Sequence, residues 1–66
     1  MSMIDQLKDV NTKDFAKHCY DSSNADKLRK ASEGSADQSE MEHWGLTEGQ
    51  WEEAIVAALA DHEAKE

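Results

Sequence analysis

Apolar residues in this chain recur at intervals of three and four, the period of helices rather than strands. No proline interrupts the pattern, and β-branched residues are sparse. The first predicted helix covers about residues 3–9. There Ile4 and Leu7 share a face beside Met3, Ser2 stands at the N-cap position, and Asp5 lies in the favourable first turn. A polar break at Asn11 and Thr12 separates it from a second helix over about residues 13–21, which either of the two can cap. This helix stacks Phe15, His18 and Cys19 at i, i+3 and i+4. Asp21-Ser22-Ser23-Asn24 reads as a turn. A third helix over about residues 24–32 has thin apolar content, Ala25, Leu28 and Ala31, and Gly34 is its natural stop.

Residues 33–39 have the composition of a flexible loop. Beyond them Ser39 and Glu42 fit a capping box, opening a one-turn helix that carries Met41 and Trp44 and ends at Gly45. The strongest local signal comes last. Thr47 and Gln50 form a capping box, Leu46 and Trp51 a hydrophobic staple, and Glu48 suits the positive helix end. Trp51, Ile55, Leu59 and His62 make one helical stripe, and Ala54, Ala57, Ala58, Ala60 and Ala64 supply helix propensity over about residues 48–63. The fold class expected is all-α: one small bundle of four to five short helices around one core, spanning residues 1–66, with the longest helix C-terminal.

Charge divides this domain. Residues 1–32 hold six Lys/Arg against five Asp/Glu, whereas residues 33–66 hold one Lys against ten Asp/Glu. The net charge of −8 argues against direct nucleic-acid binding and against anionic membranes, because phosphate contacts need Lys and Arg. No stretch approaches the roughly 18 apolar residues of a membrane span, and no secretory signal pattern is present. Cys19 is the single cysteine, which excludes an internal disulfide and suits a reducing compartment. A cytoplasmic location is the resulting expectation.

Candidate chemistry is scarce. His18 and Cys19 are adjacent, so on a helix they point about 100° apart and do not chelate one metal together. His43 and His62 complete no spaced zinc pattern, and no phosphate loop or dinucleotide motif occurs. The carboxylate pairs near Glu48, Glu52 and Glu53 sit where a solvated helix start tolerates acid, and nothing points to the burial that splits catalytic pKa values. His62 at the end of its helix suits that helix's own C-terminal dipole. No enzymatic activity, cofactor or metal is expected.

A binding role remains. Glu48, Glu52, Val56 and Glu63 project within one sector of the last helix, beside its core stripe, and Val56 has no evident core role there. Trp44 and Trp51 are expected mainly in the core, with an exposed anchor for a partner as the alternative. The expectation is an acidic adaptor, modulator or inhibitor that docks on a partner protein with a basic or apolar groove. Its docking surface would draw on Trp44, Glu48, Trp51, Glu52, Val56 and Glu63. Three alternatives stand beside it. One is a mimic of the phosphate backbone that inhibits a nucleic-acid-binding protein, as phage-encoded inhibitors do. Another is a homodimer formed through Trp44, Trp51 and Val56. The third is a helix-turn-helix presenting Lys27, Arg29 and Lys30, a basic patch that is more simply read as pairing with the acidic half.

Overall fold

Each helix of this chain begins at a side chain that accepts a backbone N–H hydrogen bond. A computed structural model describes residues 2–34 and 37–65, the Lys65 side chain excepted. At the start, the Ser2 hydroxyl oxygen accepts from the Ile4 amide at 3.1 Å, and a short 3-10 turn, Ile4–Gln6, comes next. The expected helix over residues 3–9 therefore stops early. Leu7 is extended, which turns its side chain into the core, and Asp9 is already committed to capping the next helix. That helix, α1, is Val10–Ser22, and its cap is Asp9 rather than Asn11 or Thr12. One Asp9 carboxylate oxygen accepts from the Thr12 amide at 2.9 Å and from its hydroxyl at 3.0 Å, which satisfies the hydroxyl of a fully buried threonine.

Asn24 caps α2, Ala25–Glu33, by accepting from the Lys27 amide at 2.9 Å. Asp37, not Ser39, caps α3, Gln38–Trp44, accepting from the amides of Ser39 and Glu40. A carboxylate outcompetes a hydroxyl at a helix start because it also meets the positive end of the dipole. Of the stretch expected as a loop, Glu33 closes α2, while Gln38 and Ser39 open α3; Ser35 and Ala36 lie outside the described residues. Gly45 ends α3 in the left-handed region at φ 67°. The Leu46 amide reaches back to the Met41 carbonyl, a closure that favours glycine there.

The capping box at Thr47 forms as the spacing predicts. The Thr47 amide donates to Gln50 Oε1 at 3.0 Å, and the Gln50 amide donates to Thr47 Oγ1 at 3.2 Å. It opens α4, Glu48–Lys65, the longest helix among the described residues and the C-terminal one. Thr47→Ala removes one half of the box and is expected to lower stability by about 1 kcal/mol, read as a shift in urea midpoint.

α4 is the centre of the bundle: α1, α2 and the N-terminal turn all pack on it, and α3 leans on α1. The core joins Ile4 and Leu7 to Phe15, Ala16 and Cys19 of α1, Leu28 of α2, Leu46, and Trp51, Ala54, Ile55, Ala57 and Ala58 of α4. The alanines do more than favour the helix. Ala16, Ala54, Ala57 and Ala58 are buried, and small side chains at such contacts let helix backbones approach closely. The buried face of α4 thus centres on 51, 54, 55 and 58. It lies to one side of the expected stripe, leaving Leu59 and His62 only partly buried.

His62 has a different partner from the one its position suggests. Its Nε2 lies 2.8 Å from the Tyr20 carbonyl oxygen, and its ring stacks on that of Tyr20 at 4.4 Å. A carbonyl only accepts, so Nε2 carries the hydrogen. His62 therefore satisfies one of the last carbonyls of α1, groups with no partner inside their own helix.

The basic patch of α2 does not pair with α4. Among the described residues the one ion pair is Arg29–Asp26 at 3.2 Å, within α2 and exposed, a kind worth little to stability. α1 and α2 each rest mainly on α4, without the mutual packing of a helix-turn-helix. Among the described residues, no helix is long and apolar enough to cross a membrane.

Candidate functional site

Three elements, α1, α2 and the N-terminal turn, pack on α4, and Val56 is left 46% exposed. Gly49, Glu52, Glu53 and Val56 succeed one another at i, i+3, i+4 and i+7, so they form a single stripe along the outside of α4. The N-terminal segment runs beside this stripe. Met3, Gln6 and Leu7 face Glu52, Glu53, Val56 and Ala57 across an open groove of about 440 Å³. A second depression of about 300 Å³ shares Gln6, Leu7 and Glu53 with it and extends the groove past Gln50 to Lys8, Asp9 and Thr12. Met3 is 43% exposed at one end, so two large apolar side chains from opposite ends of the sequence meet water in one place.

One carboxylate holds the N-terminal wall of this groove in position. Asp61 accepts a hydrogen bond from the Ser2 hydroxyl, from the Met3 amide at 2.7 Å and from the Ile4 amide at 3.1 Å. Desolvation by itself would raise this carboxyl, but those hydrogen bonds to the ionised form outweigh it and hold the group below its ordinary value of 3.8. A depressed acid contributes stability above its unfolded pKa and loses it as pH falls through the folded value. The clasp is therefore intact at neutral pH and weakens below pH 3.8. In Asp61→Ala, amide exchange at Met3 and Ile4 is expected to quicken at neutral pH while the middle of α4 stays protected. Parent and variant should converge in acid.

The residues expected to bind a partner separate into three groups. Glu52 and Val56 line the groove. Glu48 and Glu63 are exposed but lie outside it, Glu48 beside a recess of about 50 Å³ shared with Gly34, Trp51 and Glu52. The tryptophans do not form an exposed anchor pair. Trp51 is 6% exposed, a core residue, and its Nε1–H has no hydrogen-bond partner among the described residues. Trp44 is half-buried against α1, its ring 5.5 Å from Phe15 and 5.4 Å from His18. Met3, Leu7 and Glu53 complete the site and do not stand out in the sequence. The signal for Met3 and Leu7 is the apolar spacing near the start, which shows a buried face but not which part of α4 it meets; Glu53 reads locally as part of a solvated helix start.

The groups considered for chemistry stay apart. Cys19 points into the core while His18 faces Trp44, so the adjacent pair diverges. Burial, reinforced by the negative charge of Glu40, pushes the Cys19 thiol up to about 12. At mildly alkaline pH its alkylation is expected to track the unfolded fraction, so that at fixed reagent the rate rises with urea. Among the described residues no group of three or more His, Cys, Asp or Glu has a metal-binding arrangement. Comparison of the chain with protein-family models, curated proteins and solved structures finds no match.

Proposed function

We propose that this chain is a small acidic protein-binding module without catalytic activity, which acts as an adaptor, modulator or inhibitor by docking the outer face of α4 on another protein. The observation that carries this reading is the meeting of Val56 and Met3, both exposed, at a groove rimmed by Glu52 and Glu53. Exposed apolar side chains gathered within a polar rim are what a partner covers. Of the residues expected at the interface, Glu48, Glu52, Val56 and Glu63 remain available on the surface, and Trp51 supports them from within.

The test is affinity capture from lysate of the source cell, eluted with a salt gradient, beside a bait in which Glu48, Glu52 and Glu53 are replaced by Gln. A partner held by the parent into high salt and weakened by the triple variant supports the reading. Capture of no protein at all overturns it. A second reading, imitation of a phosphate backbone, draws on the α4 carboxylates, which make no ion pair among the described residues. It predicts a nucleic-acid-binding partner that elutes early, because charge would dominate that contact.

A further inference from the structure

The groove between the N-terminal segment and α4 has a shape, a floor and a charge that together select its occupant. Its α4 wall runs from Gly49 to Ala57, eight helical steps or about 12 Å at 1.5 Å per residue. That length equals roughly two turns of a second helix. Its apolar lining is exposed at Met3 and Val56 and buried at Leu7 and Ala57, and its polar lining is amide or acid at Gln6, Glu52 and Glu53.

The recurring modes of peptide recognition narrow the choice. Strand addition needs a free sheet edge, and the described residues form helices and turns only. Polyproline docking needs an aromatic-lined groove, and no aromatic side chain lines this one. A helix laid into an apolar groove fits the length and the mixed apolar and acidic lining. A second copy meeting this groove with its own is a poor occupant, because it would bring Glu52 and Glu53 against the same two carboxylates.

We infer that the groove receives a basic amphipathic helix of a partner protein, with apolar residues at i, i+3 or i+4, and i+7 seated on Met3, Leu7 and Val56 and with Lys or Arg flanking them toward Glu52 and Glu53. This rests on the protein-binding reading above and makes it specific. The apolar anchors supply affinity, and the acidic rim sets orientation and speeds encounter. Lys8, at the far end of the extended groove, faces Asp9 and Glu53 in the same lining and does not reverse its sign.

The experiment uses the full chain and two synthetic Lys/Leu peptides of about four helical turns. One places Leu at the periodic positions, and the other has the same composition with Leu out of register. Binding is followed by fluorescence anisotropy at near-physiological salt and mapped by amide chemical-shift changes. The periodic peptide is expected to bind at least about tenfold more tightly than its scramble, with shifts gathered at residues 3–7 and 52–57. Val56→Glu is expected to lose about tenfold while keeping the parent far-UV spectrum, because the position is half exposed. Equal binding of the two peptides overturns the inference, as does Val56→Glu binding like the parent. Concentration-dependent dimerisation that shifts the same residues also overturns it, in favour of a second copy. These outcomes differ from failure of the protein-binding reading itself, in which the lysate capture retains nothing. A partner captured equally by parent and Val56→Glu baits would leave the module intact and remove this groove as its site.

Discussion

Phe15→Ala is expected to leave the chain without a cooperative unfolding transition at room temperature. Phe15 is buried at the middle of α1, and its ring lies 5.5 Å from Trp44 and 6.3 Å from Trp51. Truncating a buried phenylalanine typically costs about 3–5 kcal/mol, from lost transfer energy and the cavity left behind. A single core in a chain this short rarely supplies more than about 3–5 kcal/mol in total. The two magnitudes are equal, so no reserve remains. The loss also reaches three elements at once, because Phe15 joins α1 to α3 through Trp44 and to α4 through Trp51. Near-UV circular dichroism of the indoles, with a urea titration, decides the matter. A sigmoidal transition within about 1 kcal/mol of the parent would show that α1 is held by something other than this aromatic contact.

Leu28→Ala is expected to detach α2 while the rest of the bundle weakens less. Leu28 is the one buried residue of α2, and α2 meets the bundle by packing on α4. Removing three carbons at a fully buried leucine typically costs about 2–5 kcal/mol. A helix of nine residues does not hold itself together in water, since isolated helices below about 12–15 residues are marginal. The remaining anchors of α2 are weak: partly buried alanines, the Asn24 cap and an exposed Arg29–Asp26 pair. Helix content should fall by about the α2 share, and amide protection should vanish over residues 25–33 before it does in α4. Unchanged far-UV ellipticity with a loss under about 1 kcal/mol would place the attachment of α2 elsewhere.

The candidate site was half legible. Val56 stood out because it broke the polar face of an otherwise regular amphipathic helix, and Glu52 came with it through helical spacing. Met3, Leu7 and Glu53 did not stand out, because each has an ordinary role when read locally. Met3 and Leu7 belong to a short apolar pattern, and Glu53 sits in a solvated first turn. Only contact across more than forty positions of sequence makes them one surface, and the Asp61 carboxylate fixes that contact through Ser2, Met3 and Ile4. Trp51 illustrates the converse. Its type suits both a core and an interface, and which of these it serves depends on how much of its indole the neighbouring helices cover.

By itself the sequence determined the all-α class, the rough spans of the four α-helices though not of the N-terminal turn, the long C-terminal helix and its Thr47–Gln50 cap. These arise from residue spacing and from groups within a few positions of one another, which act before any tertiary contact forms. Tertiary structure alone decided which face of α4 turned inward, because three elements compete to cover that helix and small Ala54, Ala57 and Ala58 admit the closest approach. It decided that His62 turned to the Tyr20 carbonyl, and that the basic residues of α2 face water rather than the acidic half. Each of these is a choice among partners that are equivalent along the chain and become unequal once packing places one of them within hydrogen-bond reach.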